Sequence, residues 1–282
     1  MDGVLHDYLE RSRADVGDRE PDAEILVREI ERLVLAGGKR LRPAFCIWGY
    51  EAALDPPSPA PEQGTGEPIV RVAASLELLH TMALIHDDLM DGAERRRGVA
   101  ASAPHLAAWA RSAGRWVDPA RFGDDAALLA GDLAAVLADR LFLTSGFDSD
   151  ALARALSPYH EMRLDMAAGQ LAGLGTPVQA GEAQRVARLK GGSYTVEGPL
   201  LVGAGLAGDR PEVRDALAAF GRPLGEAFQL RDDLVDQEQA PGTSAETVNH
   251  LVERARESLR AAALEPNACA VLDRLAATVA IS

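Results

Sequence analysis

Aromatic side chains are scarce in this sequence. Phe, Trp and Tyr make up 5% of the 282 residues, while apolar residues together reach 47%. The apolar content is carried mostly by Ala, Leu and Val, which suits close-packed helices better than sheets. Cysteine is nearly absent: Cys46 and Cys269 give no disulfide framework and suit a reducing cytosol. No uninterrupted apolar run reaches the roughly 18 residues that a membrane span needs. The N-terminal stretch MDGVLHDYLERSRADVGDRE lacks the apolar centre of a signal peptide. Positive charge is in short supply, with 29 Lys and Arg against 43 Asp and Glu and a formal charge of −14. Such a chain is a poor binder of nucleic acid or anionic membrane. Any anionic ligand must be met by locally concentrated Lys and Arg or by metal ions.

What is present reads as helix. AEILVREIERLVLAG, Ala23 to Gly37, repeats its apolar residues every three or four positions and ends at paired glycines. RLRPAFCIWGYEAAL follows, and then DPPSPAPEQGTGEP, a loop rich in Pro and Gly. The spacing predicts a long helix from about Ile69 to Asp91, apolar nearly all round and therefore buried. Further helices are predicted over DDAALLAGDLAAVLADRLFL, YHEMRLDMAAGQLAGL, EAQRVARLKGG and VRDALAAFGRPLGEAFQLRDDLVD. A terminal pair runs from Ala245 to about Leu264 and from Asn267 to Ile281. No run alternates with period two, and no short repeat is present. The expectation is a single all-α domain over residues 1–282.

Two acid clusters stand out. DDLMD (Asp87, Asp88, Asp91) is matched by DDLVD (Asp232, Asp233, Asp236). On a helix the first and last aspartate of each lie one turn apart on one face. Each cluster ends an apolar helical run, where the helix dipole disfavours anions. Carboxylates gathered there call for a cation, and an all-oxygen set suits Mg²⁺, which keeps waters and binds substrate phosphates. Bases lie nearby. Arg95, Arg96 and Arg97 follow the first cluster, GGKRLRP contributes Lys39, Arg40 and Arg42, and Lys190 sits in ARLKGGSYT. Two metal sites with two basic clusters point to a ligand carrying more than one diphosphate, forked by guanidinium groups. On this reading the acids and arginines do not pair mainly with each other.

GGKRLRP, ELLHTMALIHDDLMD followed by RRG, AAGQ, LKGGSYT and FQLRDDLVD occur in the order found in trans-polyprenyl diphosphate synthases. The chain resembles that family over nearly its whole length, and within it the geranylgeranyl diphosphate synthases. The resemblance implies a helical bundle of the isoprenoid synthase type with a central active-site cavity, a homodimer and a cytoplasmic enzyme. It implies three Mg²⁺ per site: two on Asp87, Asp88 and Asp91, and a third on Asp232 with Asp236. Lys39, Arg42 and His80, joined by Arg97, resemble the isopentenyl diphosphate pocket. Arg96 and Lys190 resemble residues that grip the allylic diphosphate. Gln229 lies one turn before the second acid motif, as in the family. His86 is read as a helix-end histidine.

The chain departs from the family at three places. Gly191 stands where a Thr is usual, and Gly173 where an Asp is usual three residues after the AAGQ glutamine. After Asp236 the stretch QEQAPGTSAETVNHL passes almost directly to the terminal helices, where the family carries a longer segment. Two rival readings fit less well. A terpene cyclase of the same fold would need one acid-rich motif and a mixed Asn, Ser and Glu metal site. A non-catalytic partner subunit should have lost one acid motif. Product length is expected to be set by Met82 and Ala83, one turn before Asp87. Farnesyl synthases of the family commonly carry a bulky aromatic there, so the small Ala83 points to a C20 product.

Overall fold

The structure is a computed structural model that describes residues 1–54, 68–96, 98–114, 116–174, 180–208, 210–235 and 244–281. It is almost wholly helical, as the composition predicts. The described residues fall into two compact units, one from Met1–Arg40 with Gly64–Gly146, the other from Leu41–Gln63 with Phe147–Ser282.

The first unit holds α1 (Asp2–Gly17), α2 (Glu24–Val34), α4 (Pro68–Asp91), α5 (Ser102–Ala113) and α6 (Pro119–Leu143). A two-residue hairpin, β1 (Arg95–Arg96) with β2 (Val99–Ala100), joins α4 to α5. α4 matches the predicted central helix. Every residue from Val72 to Leu79 is buried, so the side chains face packed neighbours all round. α4 is also the one helix among the described residues long and apolar enough to cross a membrane, and 61% of that stretch is buried as core. α6 packs against it, with Gly131 against His86, and its Ala127, Ala130, Ala134 and Ala138 are small and buried. Asp118 caps α6 by accepting hydrogen bonds from Ala120 and Arg121 N–H, and Pro119 fits the first turn. Trp109, Trp116 and Phe122 stack at the α5–α6 turn with ring centres 4.4–5.7 Å apart. The sequence reading missed α1, α5 and the hairpin, and in the second unit the helix over Gly198–Ala207. α1 and α5 present short or weak apolar stripes among charged or small residues, and a two-residue strand leaves no periodic signal.

The second unit holds α3 (Leu41–Ala53), α7 (Ser149–Gly173), α8 (Ala180–Ala187), a π-helical turn (Arg188–Glu197), α9 (Gly198–Ala207), α10 (Pro211–Val235), α11 (Ala245–Ala261) and α12 (Pro266–Ala277). Its core joins Phe45, Leu200, Leu217, Phe220, Leu224 and Leu230 to Val248, Val252, Leu259 and Leu272, all at most 3% exposed. α7 and α10 run through internal prolines, Pro158 and Pro223. Each removes one N–H from the helical ladder without ending the helix. α11 is tied to α12 by a forked ion pair, Arg256 to Asp273 at 2.7 and 3.0 Å. That pair holds the Asp273 carboxyl below its ordinary pKa. The predicted loop over Asp55–Pro68 and the stretch 236–243 lie outside the described residues, apart from Pro68, which begins α4.

Glycines set the spacing of α3 and α9. A Cβ on Gly203 would sit 1.9 Å from the Cys46 carbonyl oxygen, and one on Gly49 would sit 2.2 Å from that of Leu200. Two helices that touch backbone to backbone cannot absorb a methyl group without moving apart. Gly203→Ala is therefore expected to lower unfolding stability by about 1–3 kcal/mol in urea titration. Gly173→Ala, where a Cβ meets no atom of the described residues within 4 Å, is expected to stay within about 0.5 kcal/mol of wild type. Equal stability of the two variants would show that α3 and α9 have room to spare.

Candidate active site

In the first unit α4 ends at the predicted acids. Gly92, in the left-handed conformation with φ 62°, terminates the helix, and Ala93 N–H closes back onto the Asp88 carbonyl at 2.8 Å. Asp88 is buried, Asp87 half-buried and Asp91 exposed. Arg96 binds the first two. Its Nε donates to Asp88 Oδ1 at 2.7 Å and its Nη2 to Asp87 Oδ2 at 3.2 Å. Here the structure corrects the expectation that acids and arginines stand apart. A buried carboxylate at the negative end of a helix needs a cation within hydrogen-bonding reach, and Arg96 supplies it. Burial alone would lower the Arg96 pKa, but the bonds and charges of Asp88 and Asp87 outweigh it and raise it. Asp88 Oδ2 is buried with no hydrogen-bond partner among the described residues. Arg97 lies outside the described residues.

The hairpin that carries Arg96 is anchored from below. Glu29 on α2 is fully buried and takes a forked pair from Arg32, at 2.9 and 2.5 Å. Arg32 Nη2 also donates to the Ala100 carbonyl at 2.9 Å, on the strand paired with Arg95 and Arg96. His105 Nδ1 lies 2.6 Å from Glu29. His86, read as a helix-end histidine, packs into the gap left by Gly131 on α6, its Nε2 3.3 Å from the Leu128 carbonyl oxygen. Sequence reasoning missed the Glu29–Arg32–His105 cluster. Its one visible signal was a glutamate on the apolar face of an otherwise regular amphipathic helix.

GGKRLRP opens with Gly37 and Gly38 at φ 99° and 143°. Arg40 follows at φ 51°, left-handed for a residue with a Cβ. Its guanidinium holds it there, donating to Glu77 at 2.5 Å and to the Val34 carbonyl at 2.6 Å, with Asp2 3.2 Å away. Arg40 is thus a structural strap, while Lys39 is exposed beside it. His80 lies one turn after Glu77 on α4, half-buried, followed by the half-buried Met82 and Ala83.

In the second unit the predicted residues gather on α3, α10 and the π-helical turn. Arg42 sits in the first turn of α3 and donates to Thr195 Oγ1 at 2.8 Å. Lys190 opens the π-helical turn. Gly169 of AAGQ lets α7 close on it, since a Cβ there would sit 2.4 Å from the Lys190 nitrogen. Gln229 donates to Asp233 at 2.7 Å, one turn on, and Asp232 is half-buried beside it. Asp236 lies outside the described residues. A Cβ on Gly191 would come within 1.9 Å of Gln229 Oε1. The space beside Gly191 is thus filled by the glutamine side chain. Glu226, a turn before Gln229, has its pKa raised by burial, which outweighs the pull of Arg188 and Arg254.

Among the described residues no group of three His, Cys, Asp or Glu side chains is gathered to hold a metal. The donor set nevertheless fits Mg²⁺, which takes one or two carboxylates and completes its shell with water and phosphate oxygens. The buried, unpartnered Asp88 Oδ2 fits a cation at the end of α4.

Comparison with known proteins bears on the family to which the chain belongs. The polyprenyl synthetase profile matches residues 23–253. A short chain isoprenyl diphosphate synthase of Methanothermobacter thermautotrophicus is 31% identical over 230 residues, covering 80% of this chain and 62% of that protein. A (2E,6E)-farnesyl diphosphate synthase of Mycobacterium tuberculosis is 36% identical over 203 residues, covering 70% of this chain and 48% of that protein. The chain therefore spans from just under half to just under two-thirds of these relatives' lengths. A crystal structure of geranylgeranyl pyrophosphate synthase from Corynebacterium glutamicum, complexed with isoprenyl diphosphate and magnesium, superposes with a TM-score of 0.89 at 26% identity, covering 99% of this chain and 96% of the other. The motifs, the helical architecture and these matches together place the chain in the polyprenyl synthetase family.

Proposed function

We propose that the protein is a Mg²⁺-dependent trans-prenyltransferase that condenses isopentenyl diphosphate head-to-tail with an allylic prenyl diphosphate. The observation that carries this reading is the paired carboxylate end of α4, with Asp88 buried, one oxygen unpartnered, and Arg96 alongside. The second acid motif, on α10, supports it. Both units are proposed to form one polyprenyl synthetase domain over 1–282, since the family match runs through both. The mixed apolar and Ala-rich composition and the two unpaired cysteines suit a cytoplasmic protein. Leu129, Val136 and Leu143 on α6 are more than half exposed at seven-residue spacing, and support a homodimer in which a second copy covers that stripe.

Asp87, Asp88 and Asp91, and Asp232 with Asp236, would hold Mg²⁺, three ions per site. When bound, these ions supply charge neutralisation to the leaving diphosphate. The allylic C–O bond breaks, and the electron pair departs with the diphosphate. Arg96 and Lys190 hold that group and stabilise the charge it gains. Lys39, Arg42, His80 and Arg97 hold the diphosphate of isopentenyl diphosphate, which does not leave. Its C3–C4 double bond attacks the allylic cation, a proton is lost from C2, and the departing diphosphate accepts it. No side-chain nucleophile is required, so the protein's work is positioning, electrostatics and exclusion of water from the cation.

Asp87→Ala and Asp232→Ala are each expected to lower turnover at least about a hundredfold at saturating Mg²⁺, with circular dichroism unchanged. Near-normal turnover in a folded variant would refute the metal role. Lys39→Ala and Arg42→Ala are expected to raise chiefly the KM for isopentenyl diphosphate, and Lys190→Ala that for the allylic substrate. Equal weakening of both substrates by all three changes would contradict the assignment.

The C20 product is part of the same proposal. The two relatives and the neighbouring structure carry names for different products, so the support comes from α4 itself. Helix pitch is about 5.4 Å, close to the length of an isoprene unit, so depth along α4 is counted in turns. Ala83 and Met82 stand one turn from Asp87 and are half-buried, leaving that turn without an aromatic barrier. Ala83→Phe is expected to shift product towards C15 with total condensation largely kept, as read by mass spectrometry. An unchanged product distribution would place the growing tail on another face.

A further inference from the structure

Thr195 and Tyr194 close the LKGGSYT motif. Both are buried, at 0% and 2% exposure. Both touch Arg42. Thr195 Oγ1 accepts from Arg42 Nη2 at 2.8 Å, and the Tyr194 ring centre lies 4.7 Å from the guanidinium carbon. That distance is within cation–π range. A guanidinium held by a hydroxyl on one side and a ring face on another keeps one direction, where a free arginine would sample many rotamers.

The backbone explains how two neighbouring residues flank one side chain. Consecutive residues on an α-helix point about 100° apart, and the wider π-helical turn narrows that angle. The turn spans Arg188–Glu197 and is closed by Gly198 N–H on the Ser193 carbonyl, five residues back. In such a turn residues five apart are joined by a backbone hydrogen bond, which sets Thr195 one turn after Lys190. The turn is seated against α10 by close glycine contacts. A Cβ on Gly225 would sit 2.3 Å from the Gly192 carbonyl oxygen. One rigid element therefore carries Lys190 at its start and the two partners of Arg42 near its end.

We infer that Thr195, assisted by Tyr194, is a positioning residue for Arg42, and that the π-helical turn fixes the base proposed for isopentenyl diphosphate and the base proposed for the allylic diphosphate in one frame. This rests on the proposed prenyltransferase function and goes beyond it, because it gives a role to two residues that act through Arg42.

Thr195→Val removes the hydroxyl at nearly constant shape, and Thr195→Ser restores it. With the purified protein, Mg²⁺ and an allylic primer, Thr195→Val is expected to raise the KM for isopentenyl diphosphate about tenfold, in line with loss of a hydrogen bond to a charged group. The kcat and the allylic KM are expected to stay within about twofold, and Thr195→Ser to recover the wild-type KM. Calorimetric titration with isopentenyl diphosphate should show the same weakening without turnover. Tyr194→Leu forms an independent arm and should raise the same KM. An unchanged isopentenyl diphosphate KM and affinity in folded Thr195→Val or Tyr194→Leu would overturn the inference while wild-type condensation left the broader reading standing. Absence of condensation by the wild type would overturn both.

Discussion

The feature on which the first unit depends is a buried carboxylate. Asp88 lies 3% exposed at the C-terminal end of a long apolar helix, where both desolvation and the helix dipole oppose a negative charge. Removing Arg96 alone would leave that charge uncompensated, a change that typically costs about 3–5 kcal/mol. The surrounding structure exists to keep the arginine there. Arg96 is on a two-residue strand, its partner strand is held by Arg32, and Arg32 is held by Glu29. A chain of charge-assisted hydrogen bonds thus runs from α2 to the end of α4. It preorganises an anionic edge with one oxygen still unpartnered, which suits a divalent cation and a polyanionic ligand.

The second unit solves a different problem by different means. Its π-helical turn is held in place by close backbone packing. Gly169, Gly191 and Gly192 let α7 and α10 close on the π-helical turn from both sides. A helical turn packed this tightly has little freedom to rotate. Gln229, one turn before the second acid motif, occupies the space beside Gly191, a position where the sequence departs from the family pattern. A Cβ on Gly173, the other departure, meets no atom of the described residues within 4 Å.

Most helices were legible from three- and four-residue apolar spacing, and the acid motifs from their composition at helix ends. α4 and α10 begin within two residues of the predicted starts and end within one of the predicted ends. What escaped the sequence has a physical pattern. α5 is rich in small residues and α9 is apolar nearly all round, so neither shows a clear amphipathic period. The π-helical turn interrupts the helical period at LKGGSYT, where the sequence shows only a glycine pair. The pairing of Arg96 with Asp87 and Asp88 depends on a hairpin too short to read. Arg40 and Arg42 look alike in GGKRLRP, yet one is bound to Glu77 and the other to Thr195. Only the fold distinguishes the strap from the candidate ligand-binding base.

These carboxylates and bases are proposed to carry out ionisation and condensation of prenyl diphosphates. The most direct measurement is product mass together with diphosphate release, using the purified wild-type chain, isopentenyl diphosphate and an allylic primer, with and without chelator. The account predicts primer lengthened by five carbons for each isopentenyl diphosphate consumed, one inorganic diphosphate released per bond formed, and both lost when Mg²⁺ is removed. Primer recovered unextended in the presence of Mg²⁺, by a folded protein, would contradict it.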